Sequence, residues 1–258
     1  MTIHARRTHQ LPSIDIFDNL DLITDIRSNI EQGDIYIIKH FLSRSKVLKV
    51  RAYLENIGKN SIPNYCPIED GCPNSHRLNY DDERAYVKGC FHQFSFFPWN
   101  QDVFEFFRLF KKGYYLKNLI NKIQKERFLG RHPEDGCIAR VTFQFYPSGV
   151  GYLNMHSDPV GSHQLAIPML IMSKKGEDFF AGGAYLLNDE ERKMFIDEIT
   201  DIGDMIIFNA LVPHGVDKID AGKDVDWLAF KGRWVMLFAT NKLSGNSIPT
   251  DVVDFKDS

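Results

Sequence analysis

In the stretch Leu153-Asn154-Met155-His156-Ser157-Asp158-Pro159 an imidazole and a carboxylate stand two residues apart, just ahead of a proline. If the chain is extended as far as Asp158, the period of two of a β-strand turns Asn154, His156 and Asp158 toward one face. One strand end then presents a nitrogen and an oxygen donor together. A His-x-Asp pair by itself is common by chance, so its meaning depends on what surrounds it.

Downstream, Gly203-Asp204-Met205-Ile206-Ile207-Phe208-Asn209-Ala210-Leu211-Val212-Pro213-His214-Gly215 reads as a turn, a buried apolar strand, a short loop and a second histidine. Two histidines and one carboxylate make a facial triad, which leaves the opposite face of an octahedral iron open. Further on, Arg233 starts an apolar strand. Alternation puts Arg233, Val235, Leu237 and Ala239 on one face and Trp234, Met236 and Phe238 on the other. A guanidinium at the start of a buried strand needs a partner, and its planar fork suits a carboxylate. Upstream, Arg140, Thr142, Gln144 and Tyr146 alternate with Val141, Phe143 and Phe145. That polar face either meets solvent or lines a cavity. In the cavity reading, Arg140 pairs with a carboxylate or phosphate on the substrate and Gln144 adds a substrate contact.

The framework around these residues changes character near Gly136. After it, eight short segments read as strands: 138–146, 151–157, 164–173, 184–187, 194–198, 204–208, 215–219 and 233–240. Many short strands between turn signals predict an antiparallel sandwich or barrel, and a jelly roll is the compact solution. Before Gly136 the pattern is mostly helical. A helix over 19–30 carries Leu20, Ile23, Ile26 and Ile30 on one face, with Gly33 at its C-terminal end. A short strand over 34–40 follows. A second helix, capped by Ser43 or Ser45, buries Val47, Val50, Leu54 and Ile57 and ends at Gly58. Residues 59–82 read as an irregular loop and a candidate lid. The aromatic run 86–99 is either a core strand or one wall of an apolar pocket. Asn100 caps a helix from Gln101, and a basic helix continues to about Phe128 with Lys111, Lys112, Lys117, Lys122, Lys125 and Arg127 on a solvated face. Residues 1–258 are read as a single domain: a mostly helical support and pocket region over 1–135, a catalytic core over 136–245 and a tail over 246–258.

The order His156-x-Asp158, His214, Arg233, with Gly182-Gly183-Ala184-Tyr185-Leu186 between and Gly203-Asp204 before the distal histidine, resembles the iron(II)- and 2-oxoglutarate-dependent oxygenases over residues 137–242. The resemblance implies a mainly β fold, a double-stranded β-helix of the jelly-roll, cupin-like kind, with helices packed on one side. It implies Fe(II) held by His156, Asp158 and His214, dioxygen as oxidant, and 2-oxoglutarate as cosubstrate with its far carboxylate on Arg233. Tyr146 or Asn154 would bond to the oxo-acid end. Val235 stands where many members carry a serine or threonine, so another hydroxyl must help the clamp. Family members that halogenate carry Gly or Ala in place of the carboxylate, and Asp158 therefore favours hydroxylation, desaturation or another oxidation.

Composition sets the outer limits. A chain of 258 residues with 43% hydrophobic content can bury a sizeable core. The formal net charge of −3 argues, on totals, against a nucleic-acid partner. No apolar run approaches the roughly 18 residues that span a bilayer. The N-terminus lacks the apolar stretch of a secretory signal, so a cytoplasmic location is expected. Cys66, Cys72, Cys90 and Cys137 show no metal or dithiol spacing and read as reduced thiols. Asp217 is a candidate to orient His214 through its ring N–H. The expected activity is hydroxylation of an unactivated C–H in a small polar metabolite, such as an amino acid or a related intermediate. A protein or peptide hydroxylase, or a non-catalytic cupin-like binding protein, are the alternatives. The oligomeric state is left open.

Overall fold

Turn residues cut the chain into short elements. The computed structural model describes residues 3–12, 19–161 and 163–243, and the backbone of Val253–Asp254. The N-terminal half runs β1 (Thr8–Leu11), α1 (Leu20–Glu31), β2 (Ile35–Ile38), α2 (Arg44–Asn60), β3 (Ser75–Tyr80), β4 (Gly89–Phe96), α3 (Phe106–Leu109) and α4 (Lys111–Ile120). The C-terminal half is β5 (Cys137–Pro147), β6 (Tyr152–Ser157), β7 (Met169–Ile171), β8 (Gly183–Leu187), β9 (Lys193–Phe195), a 3-10 turn (Ile196–Glu198), β10 (Met205–Ile207), β11 (His214–Asp217) and β12 (Gly232–Lys242). β13 (Val253–Asp254) pairs with β6.

The strand order β1-β2-β10-β7-β12-β5-β4-β6-β11-β8-β9 curls back on itself. The run β10-β7-β12-β5 forms one wall and β6-β11-β8-β9 the other, with β4 hydrogen-bonded to both β5 and β6. Every ladder among β5 to β12 is antiparallel, and successive strands change wall except from β8 to β9. This is the double-stranded β-helix that the sequence resemblance implies. The expected 164–173 strand shortens to Met169–Ile171.

The two faces of β12 separate the molecule into layers. Trp234, Met236 and Phe238 point to the side where Ile23, Ile26 and Ile30 of α1, Val47, Val50 and Leu54 of α2, and Leu116 and Ile120 of α4 are buried. Helical spacing supplies those stripes, so the helices cover one side of one wall. The opposite face, carrying Val235, looks across to Ala184, Leu186 and Val216.

Several expectations for the N-terminal half are corrected. It is not mostly helical: β2 and β1 extend the first wall beyond β10, and β3 and β4 extend it beyond β5. The supposed loop 59–82 contains β3, whose polar alternation hides a strand that has few apolar residues. Gly58 does not end α2. It lets Phe230 lie against the helix, where an added Cβ would come within 2.2 Å of the ring. Residues 101–105 are not helical, and Asp102 rather than Asn100 accepts the backbone N–H groups of Phe106 and Phe107, at 2.8 and 2.9 Å. α4 ends at Ile120, and Lys117 is fully buried instead of solvated, donating to Thr240 Oγ1 at 2.7 Å. Apart from the β13 backbone, the expected tail 246–258 lies outside the described residues.

Candidate active site

β6 and β11 lie side by side, with His156 directly opposite His214. Their ring centroids are 4.2 Å apart. Asp158 follows β6, and its backbone N–H donates to Ala210 O at 2.9 Å, while Ser157 Oγ donates to Leu211 O at 2.9 Å. These bonds tie the residues after β6 to the turn before His214. Asn209 shapes that turn by accepting from Leu211 N at 3.0 Å. The result is a triad whose donor atoms all lie within 4.8 Å of one another. Nε2 of His156 is 3.8 Å from one Asp158 oxygen, and Nε2 of His214 is 3.5 Å from the other.

The tautomers suit ligation. His156 Nδ1 donates to Asn154 O at 2.9 Å, and His214 Nδ1 to Val212 O at 2.8 Å, which leaves each Nε2 as the donor toward a shared centre. Burial, helped by the neighbouring His214, pushes His156 down to about 4, so this imidazole is neutral. Burial opposes charge on both Asp158 and His214, yet their mutual attraction prevails. Asp158 is held below, and His214 above, its ordinary value. Two imidazole nitrogens and one ionised carboxylate form a donor set that fits a divalent iron.

The triad opens onto a cavity of about 210 Å³ between the two walls. Arg233 also lines it, almost completely buried. Its Nε donates to Asp197 Oδ2 at 2.7 Å, and the same oxygen accepts Ala184 N at 2.6 Å. Arg233 Nη2 is buried and has no partner among the described residues. The guanidinium is thus fixed from one side, with a donor left over on a cavity wall, and this orphan fits an incoming carboxylate. Asp197 was missed in the sequence because it follows β9 in a 3-10 turn with no motif around it. A partial signal was Gly183: a Cβ there would sit 2.8 Å from Asp197 Oδ2, so glycine makes room for the carboxylate.

The other expected site residues divide. Arg140, Gln144 and Tyr146 line the cavity, so the polar face of β5 looks inward rather than toward solvent. Tyr146 Oη donates to Gln144 Oε1 at 2.8 Å, and burial raises its phenol well above the ordinary range. Asn154 is not among the lining residues. Across from β11, His214 faces His156 but Val216 faces Leu153, which places an extra residue in β6. The bulge reverses the alternation, so Leu153 joins the cavity wall and Asn154 contributes its carbonyl to His156. Asp217 does not orient His214, because it pairs with Lys193 at 2.6 Å. In the aromatic run both readings hold by alternation. Phe91 lines the cavity while Phe94 and Phe96 pack in the core. Arg77 and Asn79 of β3 also line the cavity, and reading 59–82 as a loop concealed them.

No family model matches the chain, and no curated protein matches it. Among solved structures it is similar to a Pseudomonas putida prolyl-4-hydroxylase, with a TM-score of 0.53 at 13% identity, covering 83% of this chain and 96% of that one. It also aligns with a full-length Neurospora crassa protein in complex with alpha-KG, with a TM-score of 0.48 at 11% identity, covering 93% and 88%. For an oxidoreductase of the 2OG-Fe(II) oxygenase family from Burkholderia pseudomallei the TM-score is 0.47 at 8% identity, covering 94% and 95%. With its strand order and the first of these likenesses taken together, the chain shares the double-stranded β-helix fold of that prolyl-4-hydroxylase.

Proposed function

We propose that this protein is an iron(II)- and 2-oxoglutarate-dependent oxygenase that hydroxylates an unactivated C–H bond of a small polar metabolite. The observation that carries the reading is one cavity with the His156, Asp158 and His214 donors on one wall and the unpartnered Nη2 of Arg233 on another. When bound, iron(II), 2-oxoglutarate and dioxygen supply an oxidation of C–H coupled to release of succinate and carbon dioxide.

The chain's own work is positional. His156 and His214 are oriented by the carbonyls behind them, and Asp158 supplies the charged ligand. Arg233, steadied by Asp197, receives the far carboxylate of the cosubstrate in a site shielded from water, where a charge-assisted pair is strong. Val235 offers no hydroxyl, and Tyr146, the hydroxyl residue paired opposite Arg233, already donates to Gln144. The fork of Arg233 therefore carries the carboxylate without a donated hydroxyl from these two positions. The cavity is recessed between the two walls, and a concave site of this kind suits a free metabolite.

Succinate formation from added 2-oxoglutarate by the iron(II)-loaded protein in air tests the reading. Changing a residue that merely orients a metal ligand costs about 10- to 100-fold, so Asp158→Ala is expected to lose more than about 100-fold while keeping its unfolding temperature. Undiminished, iron-dependent succinate formation by that variant would remove Asp158 from the ligand set.

A further inference from the structure

Beyond the triad, β3 and β5 bring two more guanidiniums to the cavity. Arg77 and Arg140 both line it, and the Nε of each is buried without a hydrogen-bond partner among the described residues. Asn79, wholly buried and paired with Phe91 in the β3–β4 ladder, leaves both its amide nitrogen and its amide oxygen unpaired. Neither arginine has a carboxylate partner within ion-pair distance among the described residues. Asp82, the acidic group acting on Arg77, is already held by both arms of the Arg84 fork, at 2.9 and 2.8 Å. Arg77 lies 5.6 Å from the Tyr65 ring centroid, which is contact with a π face and not with an anion. Burial pushes Arg140 down to about 10, and Arg77 adds like-charge repulsion.

Buried polar groups are almost always satisfied, and two half-buried cations held together without a counter-ion are costly. Here the unsatisfied atoms belong to three residues that line one cavity, and all but the Asn79 amide oxygen are donors. The arginines sit at a different place from Arg233 on the same wall: in the β5–β12 ladder Arg140 pairs with Ala239, whereas Arg233 pairs with Tyr146. Between these ends the lining is mainly apolar, with Val235, Leu237, Ile167 and Phe91 beside the amides of Gln93 and Gln144. Among the described residues, Asp158 is the one carboxylate that lines the cavity, and it belongs to the triad. An ammonium on the substrate would find no acidic partner in this wall.

We infer that Arg77, Arg140 and Asn79 form the recognition site for an anionic head group, a carboxylate or phosphate, on a substrate whose apolar body extends toward the metal triad. The assignment rests on the oxygenase reading for its view of what is turned over, and it sharpens the substrate class from polar to net anionic. It disfavours a free zwitterionic amino acid.

Binding without turnover separates the two claims. The full-length protein, treated with chelator and kept at low ionic strength, is titrated calorimetrically with phenylphosphate, phenylacetate and uncharged phenylacetamide. At least one anion is expected to bind about tenfold or more tightly than the amide, and the stronger of the two identifies the head group. Arg77→Gln and Arg140→Gln should each weaken that binding by about tenfold or more, and Arg233→Gln by less than about twofold. In the unsubstituted protein the arginine Nε–H resonances assigned to Arg77 and Arg140 should move on titration, a readout independent of any variant's folding. Equal binding of the anions and the amide would overturn the inference. So would a loss caused by Arg233→Gln alone with no movement of the Arg77 and Arg140 signals, since the anion would then occupy the proposed cosubstrate site. Anion binding at Arg77 and Arg140 in a protein that fails to bind 2-oxoglutarate would retain this site and remove the oxygenase reading instead.

Discussion

Arg233 is a buried cation whose anchor, Asp197, comes from the opposite wall, and the pair is almost wholly excluded from solvent. Removing one member of such a pair leaves an uncompensated buried charge, which costs about 3–5 kcal/mol. Asp197→Ala is therefore expected to lower unfolding stability by about that amount in urea titrations. Asp197→Asn keeps an acceptor for Arg233 Nε and should cost less. Loss of the anchor also frees the guanidinium to rotate, so the 2-oxoglutarate requirement of Asp197→Asn should rise more than its iron requirement. An unchanged requirement for both would show that Asp197 serves stability alone. Arg233 itself was legible in the sequence because a charged residue opening an apolar strand stands out. Its partner was not, because 194–198 reads as a strand, whereas β9 ends at Phe195 and Asp197 sits in a 3-10 turn whose carboxylate meets Arg233 only once the fold closes.

At the scale of elements, the pairing of β6 with β11 places the histidines, and a single bulge decides which other side chains accompany them. Strict alternation would put Asn154 beside His156, and the extra residue in β6 substitutes Leu153. Nothing in Leu153-Asn154-Met155 signals a bulge, since bulges depend on the partner strand. The helices posed a related problem. Lys117 sits among other lysines in a stretch that reads as a solvated face, yet α4 turns it onto β12. Burial pushes its ammonium down to about 7 in the fold from an ordinary value of 10.5. Between these values the unfolded chain holds the proton and the folded chain does not, so stability rises with pH over that window and is flat below it. Lys117→Met should raise the unfolding temperature at pH 7 and flatten its climb toward pH 10, followed by thermal unfolding across that range. A parallel pH profile in the variant would show that Lys117 keeps its charge when folded.

For the molecule as a whole, the eight C-terminal strands were readable because each is bounded by turn residues and either alternates with period two or is a short apolar run. Their arrangement into two walls then follows from antiparallel pairing and closure. The N-terminal strands were less readable. The apolar β2 showed itself, but β3 is built from His76, Arg77, Leu78 and Asn79, and its polar residues belong to the cavity rather than to solvent. The residues that obscured the fold there are the ones to which substrate recognition is assigned. Among the described residues the cavity carries three arginines and one triad carboxylate, a positive balance that suits the anionic substrate inferred above.

The most direct measurement is an anaerobic titration of the iron(II)-loaded protein with 2-oxoglutarate, following the visible charge-transfer band of the chelate in the natural protein and in Arg233→Gln. The proposed function requires a band that saturates with 2-oxoglutarate and needs at least about tenfold more of it in the variant. Bound iron with no band at saturating 2-oxoglutarate would contradict it, and a band of equal affinity in both proteins would place the cosubstrate carboxylate somewhere other than Arg233.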